Sequence, residues 1–178
     1  MENTPLLFTP RLTMDRFTMD DVADTAKWLS DPEVCRNLLL HPNQPYEEYE
    51  GMIRRIVEKY DTGEDYFQWC IREDGKPIGR FSLTVNRRHS GGEVAYYIAK
   101  QAWGKGYRTE VLTRVIRFCF EELGLNRVEA DHFAENPASG RVMEKSGMKR
   151  EGYARQKYCK DGVFHDAVLY AVLKEDLQ

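Results

Sequence analysis

Two glycines in Gln101-x-x-Gly104-x-Gly106 stand just ahead of a long amphipathic stretch. That pattern suits an anion. The first N–H groups of a helix lack internal partners, glycine lets backbone approach a phosphate closely, and the macrodipole places partial positive charge at that end. Lys105 and Arg108 add formal charge. A plain tight turn carries the same glycines, so taken alone the segment leaves both readings open. Two phosphate motifs do not fit. The nucleotide P-loop requires Gly-Lys followed by Ser or Thr, and here Gly106 follows Lys105. The dinucleotide fingerprint requires Gly or Ala where Thr109 stands, and Asp131, followed by His132, does not close the next strand as a ribose-binding carboxylate would.

Metal chemistry is not expected. Cys35, Cys70, Cys119 and Cys159 are far apart in the chain, as are His41, His89, His132 and His165, so no pair has the spacing of a zinc or redox motif. The cysteines read as reduced, small buried hydrophobes.

The elements that must position the turn follow from periodicity. Residues 11–16 form a short strand, Asp20 to Leu29 a helix with Val22, Ala26 and Leu29 on one face, and Tyr46 to Tyr60 a second helix. The period then changes to two. Phe67, Trp69 and Ile71, then Phe81, Leu83 and Val85, alternate with polar neighbours about an Asp74-Gly75 turn, which makes a hairpin. Glu93 to Ala99 is the strand entering the glycine turn. From Tyr107, residues Val111, Leu112, Val115, Ile116, Cys119 and Leu123 form a helical stripe that Gly124 stops. Asn126 to His132 is a strand, Pro137 to Ser146 a short helix, and 153–159 and 164–173 are strands flanking Lys160-Asp161-Gly162. Ala167 to Leu173, apolar on both sides, is expected to be buried on both faces. A strand leading through a turn and helix back to a strand is a parallel crossover, and the hairpins require antiparallel pairing. Trp28 and Trp69 are expected in the core, and Trp103 and Tyr107 to pack the turn onto its helix.

The chain has 178 residues, 42% of them hydrophobic and 31% charged, which suits a single globular domain over residues 1–178. A net charge of −3 gives no general attraction to nucleic acid. No apolar run nears the roughly 20 residues that span a bilayer, and Met1-Glu2-Asn3-Thr4-Pro5 lacks signal-peptide character, so a soluble, cytoplasmic protein is expected.

Tyr96-Tyr97-Ile98-Ala99, Gln101-Ala102-Trp103-Gly104-Lys105-Gly106-Tyr107-Arg108-Thr109-Glu110, Glu135-Asn136-Pro137-Ala138-Ser139, Glu144-Lys145-Ser146-Gly147-Met148 and Glu151-Gly152 together resemble the GCN5-related N-acetyltransferase (GNAT) superfamily. With His165-Asp166-Ala167-Val168-Leu169-Tyr170, the chain is most similar to the branch of ribosomal-protein N-terminal acetyltransferases. The resemblance covers residues 10–175, with its specificity concentrated between Glu93 and Tyr170. It implies an α/β fold with a mixed, mostly antiparallel central sheet of about six or seven strands flanked by helices. It also implies acetyl transfer from acetyl-coenzyme A (acetyl-CoA) to a primary amine, with no metal.

By that resemblance, the strand end at Tyr97, Ile98 and Ala99 splays from its neighbour and offers backbone hydrogen bonds to the pantetheine arm. The amides of Gln101, Gly104, Lys105, Gly106, Tyr107, Arg108 and Thr109 cradle the pyrophosphate, and an N–H near Ile98 polarises the thioester carbonyl. Asn136 holds the pantetheine amide, while Ser139 reaches the sulfur. An N-cap role for Asn136 and an ordinary first-turn serine are the competing readings. The ammonium, of pKa roughly 8 to 10, must lose a proton, and the departing thiolate, of pKa near about 8.5, benefits from gaining one. Many relatives place a tyrosine acid where this chain has Met143, so the resemblance favours Ser139 as acid, with Tyr153 or Tyr158 as substitutes only if the fold brings them near. Glu93 is the candidate base, acting through water, with a solvent-facing carboxylate as the competing reading.

Residues 31–65 hold nine acidic side chains (Asp31, Glu33, Glu47, Glu48, Glu50, Glu58, Asp61, Glu64, Asp65) and four basic ones (Arg36, Arg54, Arg55, Lys59), a local −5 against +2 elsewhere. This is either a funnel for a cationic amine or a solvated helix face. The acceptor is a protein N-terminal amine, with a polyamine or aminoglycoside-like amine as the alternative. A non-catalytic acetyl-CoA sensor is the competing class. The protein is expected as a monomer or homodimer, with no nucleic-acid or membrane partner.

Overall fold

A computed structural model describes residues 4–62 and 65–177, so Glu64 of the acidic stretch and the first three residues lie outside the described residues. The chain packs as two compact units, Met1–Thr84 with Tyr96–Tyr107 and Val85–Ala95 with Arg108–Gln178.

The first unit contains β1 (Leu7–Phe8), β2 (Thr13–Asp15), α1 (Val22–Leu29), α2 (Pro32–Cys35), α3 (Tyr46–Lys59), β3 (Tyr66–Glu73), most of β4 (Lys76–Asn86) and the end of β5 (Gly91–Ile98). Its strands run in the order β1-β2-β3-β4-β5. The β3–β4 hairpin turns on Asp74 and Gly75, both at positive φ (50° and 77°), as a two-residue turn matched to strand twist requires. The alternation on β3 and β4 buries Trp69, Ile71, Phe81 and Leu83. Cys70, from the other set of positions on β3, joins the apolar faces of α1 and α3 through Val22, Leu29, Tyr49, Ile53 and Ile56. Tyr60 ties this layer down, since its hydroxyl donates to the Gln68 carbonyl and accepts from the Phe17 N–H, each at 2.8 Å. Arg72 forks onto Asp15 (2.7 and 2.8 Å) and Asp21 (2.8 and 3.0 Å), closing β2 and the entry to α1 against β3.

The second unit contains the start of β5, α4 (Tyr107–Arg117) beyond its first residue, β6 (Arg127–Phe133), α5 (Pro137–Lys145), β7 (Lys149–Lys160) and β8 (Val163–Leu173), in strand order β5-β6-β8-β7. The expected crossover is present, because β5 and β6 pair in parallel. α4 buries Val111, Leu112, Val115 and Ile116, then widens into a π turn over Phe118–Glu122 before Gly124 stops it at φ 68°. β8 is hydrogen-bonded on both sides, to β6 and β7, and its Ala167, Tyr170, Ala171 and Val172 are buried.

The described residues form eight strands rather than six or seven. The addition is β1, whose two residues are too short to show a period. α2 was likewise invisible to periodicity and is set by Pro32 at its first turn with Asp31 accepting from the Glu33 N–H. Trp28 and Trp69 are in the core, as are Cys35, Cys70 and Cys119, whereas Cys159 on β7 is exposed. Among the described residues no helix is long and apolar enough to cross a membrane.

Candidate active site

In the first unit, β5 delivers Tyr97 and Ile98 to a 3-10 turn at Lys100–Ala102 and then to the glycines. β4 approaches this strand end so closely that a Cβ on Gly79 would lie 2.5 Å from the Tyr97 carbonyl oxygen. Two expected backbone groups are already committed. The Ala99 N–H donates to the Ile78 carbonyl (2.8 Å), and the Ile98 carbonyl accepts from the Trp103 indole (2.8 Å). Trp103 thereby fastens the turn to the strand.

Gly104 and Gly106 sit at φ 77° and 80°, and nothing lies within 4 Å of a Cβ built on Gly104. An open left-handed turn at the start of α4 is the backbone geometry that admits an anion. Gln101 and Gly104 face solvent. The Lys105 ammonium, expected to add charge for a phosphate, is instead 3.1 Å from both Glu73 carboxylate oxygens, so this position offers the turn its amide. Tyr107, buried at the start of α4, donates its hydroxyl to the same Glu73 carboxylate. Arg11 donates to the Lys105 carbonyl (2.9 Å) and lies 4.5 Å over the Tyr107 ring. Glu73 and Arg11 hold this turn from other parts of the chain, and no spacing in the sequence singles them out. They lie in a cavity of about 480 Å³ that Tyr107 also lines.

In the second unit, Arg108 and Thr109 occupy the first turn of α4, and the Thr109 carbonyl accepts from Ser146 Oγ at 3.4 Å. The β5–β6 ladder covers only Gly91↔Arg127, Gly92↔Val128 and Glu93↔Glu129, and stops well before β5 ends. Glu93 is exposed, facing Glu129 in that register. Asn136 is the N-cap of α5, but its side chain makes no capping hydrogen bond. Pro137 at the first helical position has no N–H to cap, and the Ser139 N–H uses the Asn136 carbonyl (3.1 Å). Ser139 is 9% exposed on the first turn.

His132 shapes the same junction. Its Nδ1 is 2.7 Å from the Phe133 carbonyl, which also accepts the Asn136 N–H at 2.8 Å. Facing a carbonyl, Nδ1 carries the proton. Nε2 is buried without a hydrogen-bond partner, and a Cβ on Gly140 would meet it at 2.8 Å.

The tyrosine substitutes are engaged elsewhere. Tyr153 donates to Asp166 (2.5 Å) and Tyr158 to Asp131 (2.8 Å). The carboxylate hydrogen bond raises the Tyr153 pKa, and burial followed by the Asp131 bond raises that of Tyr158, so both are poorer acids than a free phenol. Met143 is buried, and His165 stacks on Phe133 at 4.6 Å.

The profile of the acetyltransferase (GNAT) domain matches residues 11–149. The uncharacterized N-acetyltransferase YoaA of Bacillus subtilis is 31% identical over 96% of this chain and 97% of its own length. The [ribosomal protein uS5]-alanine N-acetyltransferase of Escherichia coli is 28% identical over 93% of this chain and 92% of its own. Among solved structures, the GNAT-family acetyltransferase from Bacillus anthracis superposes with a TM-score of 0.85 at 22% identity, covering 96% of this chain and 99% of that one.

Proposed function

The chain belongs to the GNAT acetyltransferase family and is an acetyl-CoA-dependent N-acetyltransferase; from that premise we propose that it acetylates a protein N-terminal amine by direct attack on the thioester. The observation that carries the reading is the start of α5, where Asn136 holds the N-cap position without capping and Ser139 follows on the first turn. A polar side chain left out of the cap it could make is available to a substrate amide. Whole-length similarity to a protein named for acetylating the alanine of uS5 favours an α-amine as acceptor.

The open glycine turn suits the donor's pyrophosphate, which the amides of Gln101 to Thr109 hold. Acetyl-CoA supplies an acyl group already activated on a thiolate leaving group. Asn136 fixes the pantetheine amide, and the Ile98 N–H donates to the carbonyl oxygen where negative charge develops. Glu93 takes the ammonium proton through water, to which its exposed position gives access. Ser139 relays a proton to the departing sulfur, its hydroxyl donating to the thiolate while it is re-formed by a proton from water. That assignment is supported by the commitment of the Tyr153 and Tyr158 hydroxyls to carboxylates.

The test offers isotopically labelled acetyl-CoA together with a peptide whose α-amine is free, the same peptide blocked at that amine, and spermidine. Label on the free peptide is expected. Label on spermidine alone would overturn the N-terminal reading.

A further inference from the structure

In the first unit, Arg80 on β4 occupies the sheet positions that face α3, and no carboxylate among the described residues pairs with it. Its Nε donates to Gln68 Oε1 (2.6 Å), one Nη to the Tyr66 hydroxyl (3.2 Å) and the other to Met52 Sδ on α3 (3.9 Å). The last is a weak bond. Because Arg80 claims the Gln68 oxygen, the amide nitrogen of Gln68 necessarily lies beside the guanidinium. That nitrogen is buried without a partner, on a residue only 1% exposed. The Tyr97 hydroxyl is also buried, with the Arg80 guanidinium as its charged, hydrogen-bonding neighbour. The Tyr97 oxygen can accept from the guanidinium, and what is left uncommitted here is donors, namely the Gln68 amide N–H groups and the Tyr97 O–H proton. Buried donors and a half-buried cation without a counter-ion leave a desolvation cost unmet, and an anionic oxygen would offset it. Tyr97 lies in the strand end assigned to the donor's pantetheine arm, and its ring packs on the α1–α3 layer.

We propose that Arg80, with Gln68 and Tyr97, forms a carboxylate-binding subsite for the acceptor, so that the preferred amine also carries a carboxylate. This rests on the acetyltransfer reading. Such a group comes either from a free amino acid or from an acidic side chain at a peptide N-terminus, whereas a polyamine has none.

The experiment compares acceptors that differ only in carboxylate against carboxamide, as an amino acid with its amide and as a peptide beginning with Asp with the same peptide beginning with Asn. Steady-state transfer and calorimetric binding to the CoA-loaded protein are both read. Charge-assisted hydrogen bonding predicts a carboxylate preference of about tenfold or more in the parent. The amino-acid and peptide arms identify the source. Arg80→Met should bring the ratio near one and Arg80→Lys should restore part of it. Tyr97→Phe, which keeps the ring, should lower it less. An equal response of both members of each pair in the parent, or a preference that survives Arg80→Met, overturns the subsite. Carboxylate-selective binding without transfer of acetyl to any amine sustains the subsite and overturns the transferase reading on which it was placed. Absence of binding by every acceptor overturns it as well.

Discussion

Gly79→Ala probes the closest main-chain approach beside the donor strand. Its Cβ would lie 2.5 Å from the Tyr97 carbonyl oxygen and 3.0 Å from Ile98 Cα. Neither is the free end of a side chain, so relief requires β4 and β5 to move apart. Overpacking costs roughly 1 to 3 kcal/mol, and crowding against backbone puts this case at about 2 to 3. For a chain of this size the melting temperature falls by roughly 4 to 12 °C. Gly75→Ala is the control. There φ is 77° and nothing lies within 4 Å of the new Cβ, so the cost is conformational alone, roughly 1 kcal/mol. Thermal melts of the three proteins, with acetyl-CoA binding by calorimetry, separate crowding from strain. We expect Gly79→Ala to lose more stability and to bind the donor more weakly. A Gly79→Ala protein that melts with the parent, or above Gly75→Ala, would refute the reasoning.

Ser139→Ala should lower kcat by about 100-fold or more if it is the acid, with little change in acetyl-CoA affinity; stopped-flow turnover beside calorimetry reads both, and unchanged kcat removes the assignment. The Tyr107 hydroxyl, then Lys105, hold the Glu73 carboxyl below the ordinary carboxylate range. A depressed pKa contributes stability that is present above the unfolded value and lost as pH falls through the folded one. The parent's melting temperature should therefore fall more steeply than that of Glu73→Gln as pH drops through about 4 and below; parallel curves would show that this cluster does not steady the turn. Burial pushes the Cys119 thiol up to about 12 and raises Cys70 as well, and Cys35 is 1% exposed. A thiol reagent should titrate one cysteine in the native protein, Cys159, and all four in denaturant.

Periodicity located what is long or repetitive. The α4 stripe, the two hairpins and the two-sided β8 each place many apolar residues in register, so a burial argument reaches them without a partner being known. It could not reach β1 or α2, which are too short to carry a period, or the π turn at Phe118–Glu122, whose residues continue a helical stripe. The glycine turn and the α5 start were legible because each is local in sequence. What steadies the turn was not. Glu73 meets Lys105 and Tyr107 from 32 and 34 residues away, and Arg11 meets Lys105 from 94. Gln68 and Arg80 are polar positions on one face of the two alternating strands. Only α3 lying over that face converts them into a half-buried polar cluster. The pairing of Lys105 with Glu73 is likewise a long-range contact that local spacing does not show.

The proposed chemistry passes acetyl directly from acetyl-CoA to a primary amine. A rapid-quench single turnover, with labelled acetyl-CoA bound to excess enzyme and mixed with a free N-terminal peptide, tests it most directly by intact mass of both peptide and protein. Label is expected on the peptide α-amine at the first resolvable time and none on the enzyme. Label accumulating on the protein first, or donor bound with no labelled peptide at any time, would contradict it.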